Sequence, residues 1–239
     1  MASHNYGLDW IDEDALFAVT HHRLEKLLQL TAGRKLPIDP FAMVMQAKLS
    51  NSPLEEVIQF DELRSQNKTL QNAVGLWHQD VLSLSPNWVD MGANGGGVDL
   101  RTVDGYVVPG LGKPVYAEVK NRFNTIKSSD EKALWDRLDF VARSNNAYSY
   151  LIQIVPKSAE PYDEPWKPSN VVPREHVRVC DGATGYAMVF ERATALEELY
   201  AVLPSLMDDV LVAEGHYVPD SINRDLMNQI YSAVIPQIR

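Results

Sequence analysis

The chain has 239 residues, 45% of them hydrophobic, a net charge of −10 and one cysteine, which is enough apolar material to bury a full core as one domain. Its apolar stretches fall short of the ~18 residues that span a bilayer, its acidic start from Met1 to Asp14 is unlike a signal peptide, and Cys180 lacks partners for a disulfide or zinc cluster; a soluble cytoplasmic protein is expected, with Cys180 packed as a small hydrophobe. The negative charge excludes a protein coated in basic surface for loose DNA binding, but not a local basic cleft.

In chain order, residues 12–31 predict a helix, since Asp12-Glu13-Asp14 suits a helix N-terminus and Leu16, Phe17, Leu24, Leu27, Leu28 and Leu30 supply an apolar side. His21 and His22 diverge by about a hundred degrees around such a helix, so they cannot easily chelate one ion. Gly33 and Pro37-Ile38-Asp39-Pro40 mark a break before a second helix over 40–49. Ser52-Pro53-Leu54-Glu55 predicts a third helix start with Ser52 as N-cap. That helix should run to about 65 and yield, near Ser65-Gln66-Asn67, to a further helix from Thr69 to Leu84. Leu70, Val74, Trp77, Val81 and Leu84 form the core stripe of the latter, with His78 and Gln79 beside it.

Trp88-Val89-Asp90-Met91 predicts a first strand, and a second short strand holds Asp99 in a Gly97/Asp99/Arg101 alternation against apolar Val98 and Leu100. The run Gly95-Gly96-Gly97 before it fits no nucleotide-binding fingerprint; its better use is to let a DNA backbone approach Asp99. The Asp104-Gly105 turn and the loop 109–114 lead to a strand, Val115-Tyr116-Ala117-Glu118-Val119-Lys120, on which Glu118 and Lys120 share one face while Ala117 and Val119 take the other. Ser128-Ser129-Asp130-Glu131 caps a helix to about Arg143 with Leu134, Trp135, Leu138 and Val141 inward, and 147–155 reads as a central strand. A proline-rich irregular loop follows over 156–173, where Trp166 either touches DNA or packs over the core edge. Val177–Cys180 and Tyr186–Phe190 predict a hairpin around 181–185, followed by helices over 194–203, 205–213 and 221–233.

Asp99, Glu118 and Lys120 can converge through the pairing of their two strands, and that convergence has a chemical use. Mg²⁺ takes one or two carboxylates together with waters and phosphate oxygens, and Asp99 with Glu118 supplies them. Such an ion polarises a phosphodiester and lowers the pKa of a bound water, while Lys120 would hold that water and offset charge on the phosphate. Asp90 and Asp104 are the rival first carboxylates. Charge supports the placement: 194–239 holds seven acids against Arg224 and Arg239, whereas Lys113, Lys120, Arg122 and Lys127 face Glu118 alone between 113 and 127.

Asp99…Glu118-Val119-Lys120 resembles the PD-(D/E)xK signature of Mg²⁺-dependent nucleases, with Val98 in place of the signature's proline. The longer run Glu118-Val119-Lys120-Asn121-Arg122-Phe123-Asn124-Thr125, with Gln71-Asn72-Ala73-Val74-Gly75-Leu76-Trp77-His78-Gln79 upstream, resembles type II restriction endonucleases that cut GG-N-CC-like sites, over about residues 65–155. The resemblance implies an α/β (α+β) restriction-endonuclease-like core, a central mixed β-sheet flanked by helices, in a single nuclease domain over 1–239. In that division 65–155 is the catalytic core, 1–64 an N-terminal helical part and 174–239 a C-terminal hairpin with helices. It further implies Mg²⁺ as cofactor with Asp99, Glu118 and Val119 as its ligand set, Gln79 or His78 on the metal's outer shell, and a homodimer on a palindromic DNA site with a cognate DNA methyltransferase as functional partner.

Asn121, Arg122, Asn124, Thr125 and Lys127 follow the catalytic strand and are the expected DNA contacts, together with Arg178; whether Arg122 reads a base or holds a phosphate stays open. The competing functions are a DNA repair or junction-resolving nuclease of the same chemistry and a non-catalytic DNA-binding module.

Overall fold

The sheet is built from strands whose side chains alternate between two apolar surfaces. The computed structural model describes residues 4–31, 39–92, 97–216 and 222–238, with the backbone alone for 26–31. Gly33, Pro37 and Ile38 of the expected break, the Gly95-Gly96 pair and the side chains of Leu27, Leu28 and Leu30 lie outside the described residues. The element order is α1 (Glu13–Thr31), α2 (Pro40–Ser50), α3 (Leu54–Leu82), β1 (Trp88–Asp90), β2 (Leu100–Thr102), β3 (Val115–Arg122), α4 (Ser128–Ser144), β4 (Tyr148–Val155), β5 (Asp163–Pro165), β6 (Val177–Asp181), α5 (Gly182–Phe190), α6 (Ala195–Ala213) and α7 (Arg224–Val234). This is the expected α/β class.

The six strands lie in the order β1-β2-β3-β4-β6-β5. β1, β2 and β3 pair antiparallel, β3, β4 and β6 parallel, and β5 closes the far edge antiparallel to β6. On β3 the residues Val115, Ala117 and Val119 enter a large core with Trp77 and Val81 of α3 and Ala183 and Tyr186 of α5. Tyr116 points the other way, towards a second core made by Leu134, Trp135, Leu138 and Val141 of α4 with Val177 and Val179. Glu118 and Lys120 share the face of Tyr116 by strand periodicity, so they emerge on the α4 side of the sheet. Cys180 is fully buried, as expected of a small hydrophobe.

Five expectations are corrected. α3 is one helix of 29 residues with no break at Ser65-Gln66-Asn67. Those residues contain neither Gly nor Pro, so nothing in the polar stretch breaks the helix, within which Thr69 Oγ1 donates to the Ser65 carbonyl at 3.1 Å. The α3 N-cap is Pro53 with no side-chain cap, while Ser52 Oγ bonds the Ser50 carbonyl instead. The expected hairpin over 177–190 is strand β6 followed by helix α5. Asp181 caps that helix, accepting from the Thr184 N–H at 2.9 Å and from its hydroxyl at 2.7 Å, which stops the strand from turning back on itself. Gly182 and Gly185 are close-packing residues: a Cβ would stand 2.4 Å from the Ile154 carbonyl oxygen at the first and 2.5 Å from Ile152 Cγ2 at the second. Finally, α6 runs unbroken through Pro204, forgoing one backbone bond, and a short strand, β5, lies inside the proline-rich segment.

Candidate active site

β3 brings Glu118 and Lys120 to one surface, and the chain just ahead of β2 brings Asp99 beside them. Asp99 is fixed from both sides by the sheet: its N–H donates to the Ala117 carbonyl at 3.0 Å and its carbonyl accepts from Met91 at 2.8 Å. Its side chain turns across the ladder, and Oδ2 accepts from the Val119 N–H at 2.8 Å. Glu118 is only 6% exposed, yet both of its carboxylate oxygens face cations. Lys120 Nζ lies 2.6 Å from Oε1 and Arg137 Nη2 of α4 lies 3.0 Å from Oε2. An acid this buried requires such partners, because an unpaired charge there would be very costly.

Asp99 is held above the usual carboxylate range, first by burial and then by the negative charge of Glu118; the Val119 N–H, Lys120 and Arg137 pull in the opposite direction. A carboxylate raised by the charge of a neighbouring one is a natural seat for a divalent cation, which offsets that charge. The donor set fits a hard cation: two carboxylates leave room for water and phosphate oxygens, and no cluster of three or more His, Cys, Asp or Glu suited to a softer metal occurs among the described residues. Val119 itself is buried in the α3 core, so of this residue only the main chain can face the cation.

The other expected residues divide clearly. Of the rival carboxylates, Asp90 accepts from Gln79 Nε2 at 2.8 Å and from the Gly92 N–H at 3.0 Å, and Asp104 is an exposed partner of Arg101 at 2.7 Å. Gln79 therefore meets Asp90 at the sheet edge. His78 points into the core, its Nδ1 2.7 Å from the Tyr186 hydroxyl and its ring edge-on to Trp77, and burial pushes its pKa down to about 3. Arg122, Asn124, Thr125 and Lys127 are exposed where β3 leaves the sheet for α4. Asn121 instead turns to α3, donating to the Gln71 carbonyl at 3.1 Å with its Cβ close over Gly75. Arg178 clasps β5 through Asp163, with Nε 2.7 Å from Oδ1 and Nη2 2.7 Å from the carbonyl oxygen, so its guanidinium is committed to the sheet. Trp166 packs in the α4 core, where its carbonyl accepts from Trp135 Nε1 at 3.1 Å. His21 pairs with Glu214 at 2.6 Å.

Arg137 is the residue that sequence reasoning misses. It lies on α4 next to the inward Leu138, in a position that reads as ordinary helix surface, and only the packing of α4 across the sheet carries it to Glu118. The signal that could have found it is Gly97, whose φ of +94° and missing Cβ leave the space that the Arg137 stem fills.

A family model described as Eco47II restriction endonuclease matches residues 8–212. The type II restriction enzyme Eco47II of Escherichia coli is 32% identical over 198 residues, covering 77% of this chain and 79% of that protein. The type II restriction enzyme Sau96I of Staphylococcus aureus is 22% identical over 223 residues, covering 84% and 82%.

Proposed function

The chain belongs to the Eco47II restriction endonuclease family and is a type II site-specific deoxyribonuclease, and on that premise we propose that Asp99, Glu118 and Lys120 are its catalytic residues. The observation that carries this reading is the buried Glu118 carboxylate between Lys120 and Arg137, with Asp99 pinned beside it by the Val119 N–H.

Asp99 and Glu118, with the Val119 main chain alongside, would hold Mg²⁺. When bound, the cation polarises the scissile phosphodiester and acidifies a water. Lys120 holds the attacking water by its ammonium group and offsets the charge that builds on the phosphate as the P–O bond breaks. Arg137 positions Glu118 through its ion pair and adds positive charge beside the place where the phosphate would lie. Arg122, Asn124, Thr125 and Lys127 meet the DNA beside the scissile bond, where their exposure at the strand exit suits them to it. Asn121 supports that loop from α3, Gln79 steadies Asp90 at the rim, and neither His78 nor Arg178 is assigned a contact with metal or DNA.

The whole chain acts as one nuclease domain in the cytoplasm, as a homodimer on a palindromic GG-N-CC-like site, with a DNA methyltransferase protecting the same site in the host. Digestion of a sequenced plasmid with Mg²⁺, followed by mapping of the ends, tests the reading. Discrete fragments with ends at one repeated sequence are expected, and an unselective smear, or no cleavage at all, would overturn it.

A further inference from the structure

α2 and the first half of α3 form a two-helix arm with a very small core: Met43 and Ala47 pack on Val57, with Ile58 at the edge. The rest of the arm is apolar and faces outward. Phe41, Val44, Met45 and Leu49 recur at helical spacing along α2 and are 77, 52, 64 and 90% exposed, and on α3 Phe60 and Leu63 are 57 and 63% exposed. Two of the six are aromatic, a kind of side chain that buries about 150–250 Å², so together they offer several hundred Å² of apolar surface, a large part of one partner's share, ~800 Å², in a stable protein interface. Monomers seldom leave a patch of that size bare.

On α3 the exposed pair begins a regular series. Phe60, Leu63, Asn67, Leu70, Val74 and Trp77 are spaced 3, 4, 3, 4 and 3 residues apart, the alternation of a coiled-coil seam. Trp77, at its C-terminal end, is buried in this chain's own core, whereas Phe60, Leu63 and Leu70 remain exposed. The series includes one asparagine, the residue that fixes register when like helices pair. The positions flanking the exposed part of the seam, Gln59, Arg64, Gln66 and Gln71, carry no acid, and α2 holds Lys48 and no acid at all. This half of α3 also carries Glu55, Glu56, Asp61 and Glu62, with Asp61 paired to Arg64 and Glu56 one turn before Phe60, so the neutral and basic seam positions lie beside acids that Lys48 and Arg64 can offset in a chain of net charge −10.

We infer that the arm is the interface between two copies of this chain, with α2 and the N-terminal half of α3 of one copy packed on the same helices of the other about a two-fold axis, as a four-helix bundle. The inference rests on the reading above only in that a nuclease of palindromic sites needs two active sites related by such an axis. It assigns that axis to a surface outside the catalytic sheet.

Sedimentation velocity on the full chain, without metal or DNA, tests it. The unmodified chain is expected to sediment as a dimer, and Phe60→Glu/Leu63→Glu and Phe41→Glu/Met45→Glu as monomers with unchanged near-ultraviolet circular dichroism. Leu226→Glu/Ile230→Glu, on the exposed stripe of α7, should remain a dimer. A monomeric unmodified chain, dimeric arm variants, or a dimer broken only by the α7 variant would each overturn the inference. Hydrogen exchange of the unmodified chain needs no variant: protection of α2 that falls on dilution supports the arm, and protection independent of concentration refutes it. A dimer through the arm that fails to cleave DNA sinks the catalytic assignment alone, and efficient double-strand cleavage by a monomer sinks the arm alone.

Discussion

Gly97 and Arg137 share one space. A Cβ on Gly97 would stand 2.9 Å from Arg137 Cδ, and the glycine holds a φ of +94° that L side chains rarely adopt. Through that notch the arginine reaches Glu118. The glycine before Asp99 thus serves an internal contact, whereas the sequence suggests room for a DNA backbone.

Removing Arg137 should therefore separate metal binding from cleavage. If Glu118 holds the proposed cation it must give up Arg137 to do so, and Arg137→Ala is then expected to bind Mn²⁺ several-fold more tightly in calorimetry without DNA. The same variant should cleave about 10–100-fold more slowly, since a positive group near the developing phosphate charge is lost. Gly97→Ala should destabilise the protein by about 1–2 kcal/mol through its strained φ and displace Arg137. Unchanged Mn²⁺ affinity in Arg137→Ala would sink the idea of competition.

Asp99 gives a test with a sign. Its folded pKa lies above the unfolded value, so between the two the native state binds more protons and stability falls as pH rises through that window, staying lower above it. Asp99→Asn removes that loss. Without metal it should melt at a higher temperature than the unmodified chain at pH 7 and at nearly the same temperature below the ordinary aspartate range, while cleavage drops by roughly a thousandfold or more. Asp90→Asn and Asp104→Asn should cleave nearly normally. Loss of cleavage in Asp90→Asn with retention in Asp99→Asn would move the first carboxylate to the β1 edge.

What was legible in the sequence follows a physical divide. Val115 to Lys120 announces a strand because its period of two is local, and α4 shows its inward face through Leu134, Trp135, Leu138 and Val141 for the same reason. The meeting of Asp99, Glu118 and Lys120 was legible because two neighbouring strands joined by a turn leave few pairings. The segment after β6 is not legible because glycines at 182 and 185 resemble turn residues, when their actual service is close contact with Ile154 and Ile152 on β4, 28 and 33 residues away along the chain. Arg137 and the Arg178 clasp are contacts between distant segments, which no local pattern records.

His78 predicts an acid sensitivity unrelated to catalysis. Burial lowers its pKa from 6.5 to about 3, so between those values the unfolded chain takes up a proton that the folded one refuses. Stability should fall as pH drops below about 6.5, by an amount on the order of a few kcal/mol by the time pH approaches 3. Denaturant unfolding of the unmodified chain and His78→Gln across pH 7.5 to 4.5 isolates the effect. The variant starts less stable, because the Tyr186 hydroxyl loses its partner, but the difference between the two should shrink on acidification. A difference that does not change with pH would show that the imidazole is not responsible.

The last prediction separates DNA reading from sheet repair. Arg122 is exposed at the exit of β3, whereas Arg178 is held by Asp163, which also accepts from the Tyr150 hydroxyl at 3.1 Å. Binding of Arg122→Ala and Arg178→Ala to cognate and scrambled DNA, in Ca²⁺ to prevent cutting and at several salt concentrations, distinguishes the roles. If Arg122 holds a phosphate, both DNAs should weaken alike and the salt slope should fall by about one; if it reads a base, the cognate site should lose roughly 1–3 kcal/mol and the scrambled one little. Arg178→Ala should leave the cognate-to-scrambled ratio and the salt slope unchanged. It should instead lower thermal stability and speed hydrogen exchange across β5, because the buried Tyr150 and the β5 edge lose the cation that anchors Asp163. A shift in the ratio with Arg178→Ala, at unchanged stability, would return the reading role to β6.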